Sequence, residues 1–210
     1  MAIPFQIENI LNSPSKLAIL RVLSSRPGGF KATGREIAKL SGYSAPSTHE
    51  SLKDLHSQDV LMLDIIGRQH VYSFNEESRV VRKIIRPMFH AESGFKNEIR
   101  DFLLEDIRKK RIKALIASLI LYGSAQKGTT GRGSDVDIAV VVFRAADVER
   151  AADIFLSEIA PRFKAYFGVR LDPYVKSAAE FRERLKKNRP PVSTLMQSYL
   201  VLYGKEPLEV

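Results

Sequence analysis

Leu121-Tyr122-Gly123-Ser124 closes one apolar run and Ser134-Asp135-Val136-Asp137-Ile138 opens another, and this pair of stretches decides the fold of the second half of the chain. Leu115 to Tyr122 has the composition of a strand, and it runs straight into Gly123-Ser124. A strand ending in a tight glycine turn presents backbone amides to a phosphate, and a side chain at that point would block the approach. The loop from Gln126 to Ser134 is rich in glycine and threonine and carries Lys127 and Arg132, two candidate phosphate contacts. Asp135 to Val142 then reads as a second strand. Residues two apart on a strand share a face, so Asp135 and Asp137 point the same way while Val136, Ile138 and Val140 face the core.

Two carboxylates side by side repel each other unless a positive charge sits between them, and hard divalent ions prefer oxygen ligands. The pair therefore asks for metal. A third carboxylate completes such sites in phosphoryl-transfer enzymes, where the ions hold a triphosphate and activate the attacking hydroxyl. Asp172 is the candidate: it falls in Phe167 to Val175, a further expected strand, after a helix-like stretch from Ala145 to Phe163 that returns the chain to the sheet. Pro173 follows it and cannot donate to a sheet ladder, so this strand lies at an edge, ends there or bulges. Two other readings of the region stay open. Asp172 is an exposed strand-end acid paired with Arg170, or Arg170, on the same face, is itself a site residue.

Leu121-Tyr122-Gly123-Ser124, a loop, then Ser134-Asp135-Val136-Asp137-Ile138 resembles the motif of the DNA polymerase beta nucleotidyltransferase superfamily, particularly its minimal prokaryotic members. The closing stretch Met196 to Gly204 also looks like the end of many such proteins. The resemblance covers roughly the last half of the chain. It implies that Gly123 and Ser124 hold the phosphates of a nucleoside triphosphate; Lys127 and Arg132, which follow no fixed pattern of that family, and Ser134 are further expected nucleotide contacts. It implies further that Asp135 and Asp137 ligate two magnesium ions, with Asp172 as third ligand helping to activate an acceptor hydroxyl.

Working back toward the amino terminus, Pro14 to Leu23 fits a helix capped by Ser13, broken by Pro27, Gly28 and Gly29. Thr33 and Glu36 stand in capping-box spacing ahead of Ile37, Ala38 and Leu40, and Gly42 ends that helix. Ser44 caps a third helix through about Ser57, with Leu52 and Leu55 turned inward. Val60 to Ile66 and His70 to Phe74, joined through Gly67-Arg68-Gln69, make a hairpin. Three helices and a wing resemble a winged helix-turn-helix domain, carried by Thr33 to Gly42 and Ser47 to Leu55. The resemblance implies that Ser47, Thr48, His49 and Lys53, with Arg68 in the wing, contact double-stranded DNA. Winged helices also serve as protein-protein modules, and that alternative stays open.

From Glu76 to Lys113 apolar residues recur at helical spacing within a charged stretch, with Pro87 and Gly94 expected to kink or divide it. The expected architecture is α+β: a winged helix-turn-helix domain over 1–75, a helical connector over 76–112, and a polymerase-beta-like nucleotidyltransferase domain with a short mixed sheet over 113–210.

Composition narrows the function classes. The chain of 210 residues is 44% hydrophobic, enough for a sizeable core. It has no cysteine, which excludes disulfides, thiolate metal sites and a cysteine nucleophile and makes a reducing cytoplasm the expected home. Residues Met1 to Ile10 lack the marks of an export signal, and the most apolar run is far shorter than a membrane span. The net charge of +9 favours an anionic partner, although the basic residues are interleaved with acids as on an ordinary solvated surface. The expectation is a metal-dependent transfer of a nucleoside monophosphate from a triphosphate to a hydroxyl, coupled to DNA binding, in a homodimer. Its rivals are a nucleotide-sensing transcription regulator without turnover and a transferase that modifies a protein partner, as in toxin and antitoxin pairs. The acceptor and the base preference are not written in these motifs.

Overall fold

A computed structural model describes residues 7–26, 30–123 and 135–210. The chain divides into two compact units, residues 1–95 and 96–210.

In the first unit a single helical turn, α1 (Ile7–Ile10), precedes α2 (Pro14–Ser24), whose amino end is closed by Ser13 accepting from the Lys16 amide. Helix α3 (Gly34–Ser41) begins with the full reciprocal box, Thr33 to the Glu36 amide and Glu36 back to the Thr33 amide, and ends at Gly42 with a φ of +75°. A cap of this kind stabilises a helix by about 1 kcal/mol. Helix α4 (Ala45–Ser57) is capped by Ser44. The expected breaks at Pro27, Gly28 and Gly29 lie outside the described residues.

The hairpin forms from β2 (Leu61–Ile66) and β3 (Gln69–Phe74), joined by Gly67-Arg68. Gly67 has a φ of +62°, which suits the first position of a two-residue hairpin turn. A two-residue strand the sequence did not announce, β1 (Ala32–Thr33), pairs with β3 to give the order β1-β3-β2. Ile19, Leu20, Leu23, Ile37, Leu52, Leu55, Tyr72, Phe74 and Ile85 form one buried core within the unit.

Pro87 and Gly94 do not divide the helix that follows. A π-helical turn over Val81–Ile85 leads into α5 (Arg86–Lys109), which runs through both residues. Pro87 has no amide hydrogen to donate inside this continuous helix, and just before it the Arg86 amide reaches back five residues to the Val81 carbonyl, the wider π pattern.

The second unit is built on a four-stranded mixed sheet in the order β6-β5-β4-β7: β4 (Ile116–Tyr122), β5 (Val136–Val142), β6 (Leu171–Ser177) and β7 (Tyr199–Gly204). Strand β4 is antiparallel to both β5 and β7, while β5 and β6 are parallel. The crossover between the parallel strands is helical: α6 (Val148–Ile154), a π turn over Phe155–Ile159, and α7 (Ala160–Phe167) ending at Gly168. Phe155, Ile159 and Phe163 are fully buried along it.

After β6 come α8 (Ala178–Lys186), with a Ser177–Glu180 capping box, and the short α9 (Val192–Leu195). They supply Phe181, Val192 and Leu195 to a core shared with Ile120, Ala139 and Val141. Both faces of β5 are therefore covered, which is why its residues after Asp137 form an unbroken buried apolar run rather than an alternating one. Strand β6 is an edge strand, one of the three placements that Pro173 allows. Among the described residues no helix is long and apolar enough to cross a membrane.

Candidate carboxylate site and candidate nucleic-acid helix

Parallel pairing of β5 with β6 places Val136 opposite Leu171, Asp137 opposite Asp172 and Ile138 opposite Pro173. Register partners on neighbouring strands lie about 4.8 Å apart and point to the same face. On the other side of β5, Asp137 is opposite Tyr122, and Tyr122 is opposite Tyr199 on β7. One row across the sheet thus reads Asp172, Asp137, Tyr122, Tyr199. It stands at the end of the core lined by Ile120, Ala139 and Val141.

Gly123 has a φ of +75°, and a Cβ built there would lie 2.2 Å from Oδ2 of Asp137 and 3.2 Å from its Cγ. Glycine is thus required twice, for backbone conformation and for room beside the carboxylate. Ser124, Lys127, Arg132 and Ser134, the other expected phosphate contacts, lie outside the described residues.

Asp135 has a different neighbour. The Arg170 guanidinium grips it in a fork, Nε to Oδ1 at 2.9 Å and Nη2 to Oδ2 at 3.1 Å. The ladder begins at this level, where the Val136 amide donates to the Arg170 carbonyl at 2.8 Å. Arg170 was open as a partner for Asp172. It serves Asp135 instead, because residues i and i+2 on one strand are about 6.6 Å apart while a cross-strand neighbour is nearer. The signal was in the sequence: Asp135-Val136-Asp137 and Arg170-Leu171-Asp172 have the same spacing, and pairing them in parallel register matches Arg170 to Asp135.

Electrostatics mark Asp137 as the strained member. Burial raises its carboxyl above the ordinary range, and the charges of Asp172 and Asp135 push it further the same way. Tyr122 feels the same field: burial, then the charges of Asp137 and Asp172, hold its phenol well above its usual value. Both shifts mean that negative charge at this spot is under-compensated. Tyr122 was not among the expected site residues, whereas Arg170 stood there as an open alternative. Tyr122 gave no sequence signal beyond its place before Gly123.

The oxygen donors suit a hard divalent cation, and the room Gly123 leaves beside Asp137 suits a phosphate near it. Yet the side chains do not stand as a ready three-ligand cage. Among the described residues no group of three or more His, Asp or Glu side chains is placed to hold a metal ion. Asp137 and Asp172 are brought together, and Asp135 is held aside by Arg170.

On α4 the inward stripe is Thr48, Ser51, Leu52 and Leu55. Thr48 is 1% exposed, so the expectation that it contacts DNA is corrected: it precedes Leu52 by four residues and Leu55 by seven, which puts it on the core face. His49 and Lys53 are exposed and Ser47 half-exposed on the outer face, and Arg68 is exposed at the hairpin tip. The hairpin also exposes Ile65 and Ile66 beside Arg68, an apolar feature that phosphate does not reward.

Residues 97–194 match the family model of the nucleotidyltransferase domain, a span that takes in β4, β5 and β6. A comparison with curated proteins finds no match. Among solved structures the chain is similar to the predicted DNA-binding transcriptional regulator from E. coli, with 22% identity over 40% of this chain and 84% of that one and a TM-score of 0.35. It is also similar to a structure described as the toxin-antitoxin with AMP-PNP, with 19% identity over 51% of this chain and 74% of that one and a TM-score of 0.35.

Proposed function

We propose that the second unit transfers a nucleoside monophosphate from a nucleoside triphosphate to a hydroxyl acceptor, with pyrophosphate leaving. The observation that carries this reading is the in-register pair Asp137 and Asp172 beside Gly123, within the span that matches the nucleotidyltransferase domain. Asp137 and Asp172 would hold divalent ions, with Asp135 joining them when Arg170 releases it. Bound magnesium supplies charge neutralisation of the triphosphate and a more acidic acceptor hydroxyl.

The chain's own part is positioning. Gly123 leaves the backbone open beside Asp137, and the strands fix both carboxylates on one face. Arg170, once detached from Asp135, has five donors with which to grip phosphate oxygens. Such catalysis rests mainly on placement and preorganised charge. The first unit, with Ser47, His49, Lys53 and Arg68 outward, is assigned to double-stranded DNA.

The test is incubation of the purified protein with each α-labelled nucleoside triphosphate, magnesium and cell extract. Label on an acceptor with release of pyrophosphate supports the reading. Label that appears on protein rather than on RNA or a small molecule identifies a protein acceptor. Retention of intact triphosphate under every condition removes the enzymatic reading.

A second reading draws on the Arg170–Asp135 fork, which occupies one of the expected ligands. A site so held binds nucleotide and reports it to the winged unit without turnover. Nucleotide-dependent DNA binding with no labelled product distinguishes it.

A further inference from the structure

The winged unit contains a cavity of about 620 Å³ that neither the outer face of α4 nor the carboxylate site uses. Its walls include Ser24 at the end of α2, Arg82 on the π turn, and Arg86, Pro87, Phe89 and His90 at the start of α5. The volume is that of a small-molecule site, and pairing an apolar wall with a few convergent polar groups is the usual make-up of one.

Three features point to a ligand. The Ser24 hydroxyl is shut off from solvent and has no hydrogen-bond partner among the described residues. A buried hydroxyl left unpaired costs free energy that a bound acceptor would recover. The two arginines then differ. Arg86 is ion-paired with Glu76 and stacks over Phe74 with its guanidinium carbon 4.6 Å from the ring centroid. Arg82 is exposed, and its side chain makes no ion pair or hydrogen bond among the described residues, so its charge is free for a ligand. Finally, Phe89 and Pro87 give the cavity an apolar side.

The sign and size of the ligand's charge follow from the same walls. An unengaged guanidinium and a hydroxyl call for an anion. But α2 ends here, with Ser25 as its carboxyl cap, and the carbonyl end of a helix carries partial negative charge. With Arg86 already neutralised by Glu76 and the carbonyl end of α2 at the wall, a single negative charge is the closer match to Arg82. We propose that this cavity binds a small aromatic monocarboxylate. Arg82 forks the carboxylate, the Ser24 hydroxyl donates to it, and Phe89 and Pro87 hold the ring.

The experiment is calorimetric titration of the full chain with benzoate, alongside phenyl phosphate and uncharged benzamide, with binding located by hydrogen exchange. The expected result is one benzoate site that slows exchange in residues 20–25 and 82–93. Benzamide should bind about tenfold more weakly or worse, and phenyl phosphate more weakly than benzoate. Arg82→Gln should cost about tenfold or more in benzoate affinity, and Arg82→Lys, which keeps charge but not the fork, should lie between. Arg82 is exposed, so both variants are expected to melt as the wild type does. Absence of benzoate heat and protection at millimolar concentration overturns the proposal. So does a normally folded Arg82→Gln variant that binds as the wild type does, or phenyl phosphate binding more tightly than benzoate.

Discussion

Asp137 and Asp172 face the same side of the sheet as direct register partners on two parallel strands, and nothing cationic among the described residues is shown between them. Parallel register therefore turns two acids 35 positions apart into one electrostatic feature.

The first prediction concerns pH and stability. The Asp137 carboxyl is raised in the folded protein by burial and by Asp172 and Asp135, so the native state holds its proton more tightly than the unfolded chain does. Its contribution is most favourable below the unfolded value and is lost as pH rises through the folded one. Asp137→Asn should therefore be more stable than the wild type at neutral pH, with the gap closing in acid. Urea unfolding across that range measures it, and an Asn variant less stable at neutral pH contradicts it.

Gly123→Ala should be damaging for a local reason. The new Cβ would press on the Asp137 carboxylate, 2.2 Å away, in a backbone conformation that costs an L residue about 1–2 kcal/mol. Chemical denaturation should show a loss of about 2 kcal/mol or more, and nucleotide binding should fall with it. A variant with wild-type affinity would show that the close approach is irrelevant to function.

Arg170 gives a prediction in which stability and binding part company. The fork with Asp135 is largely exposed, so Arg170→Gln should change unfolding free energy by only about 0–1 kcal/mol. Divalent-ion affinity without nucleotide should rise severalfold, because the guanidinium no longer competes for Asp135. Manganese titration reads the affinity directly, and an unchanged or weaker value would mean that the fork does not compete with metal.

On α4 the correction at Thr48 can be checked by two substitutions. Thr48→Val removes a buried hydroxyl that has no hydrogen-bond partner among the described residues, so it should be neutral or stabilising by up to about 1 kcal/mol, with DNA affinity retained. Lys53→Ala should weaken DNA binding on all sequences and lower the salt slope by about 1. Fluorescence anisotropy at several salt concentrations separates the two, and a Lys53→Ala protein with wild-type affinity would favour a protein-docking role for the winged unit.

Much of this fold was legible because the local signals are strong. Ser13, Thr33 with Glu36, and Ser44 each cap the helix expected of them, and Gly67-Arg68 closes the hairpin. Pro173 limited its strand to an edge, an end or a bulge, and β6 is an edge. What escaped depends on partners distant in sequence. The strand Ala32–Thr33 is too short to carry a period and exists by pairing with β3. The shared spacing of 135–137 and 170–172 yields the Arg170–Asp135 fork only once β5 and β6 are paired in parallel register. Thr48 was misplaced although the helical stripe through Leu52 and Leu55 already put it inside.

The central claim is that carboxylates from β5 and β6 share divalent cations beside Gly123. Calorimetric titration of manganese, with and without a non-hydrolysable triphosphate, tests it in the wild type and in an Asp137→Asn, Asp172→Asn variant. At an ion concentration about a hundredfold above the dissociation constant, wild-type folding should gain about 2.7 kcal/mol. The variant should lose that gain and bind nucleotide-dependent manganese about a hundredfold more weakly. Equal manganese affinity and stoichiometry in the two proteins would contradict the account.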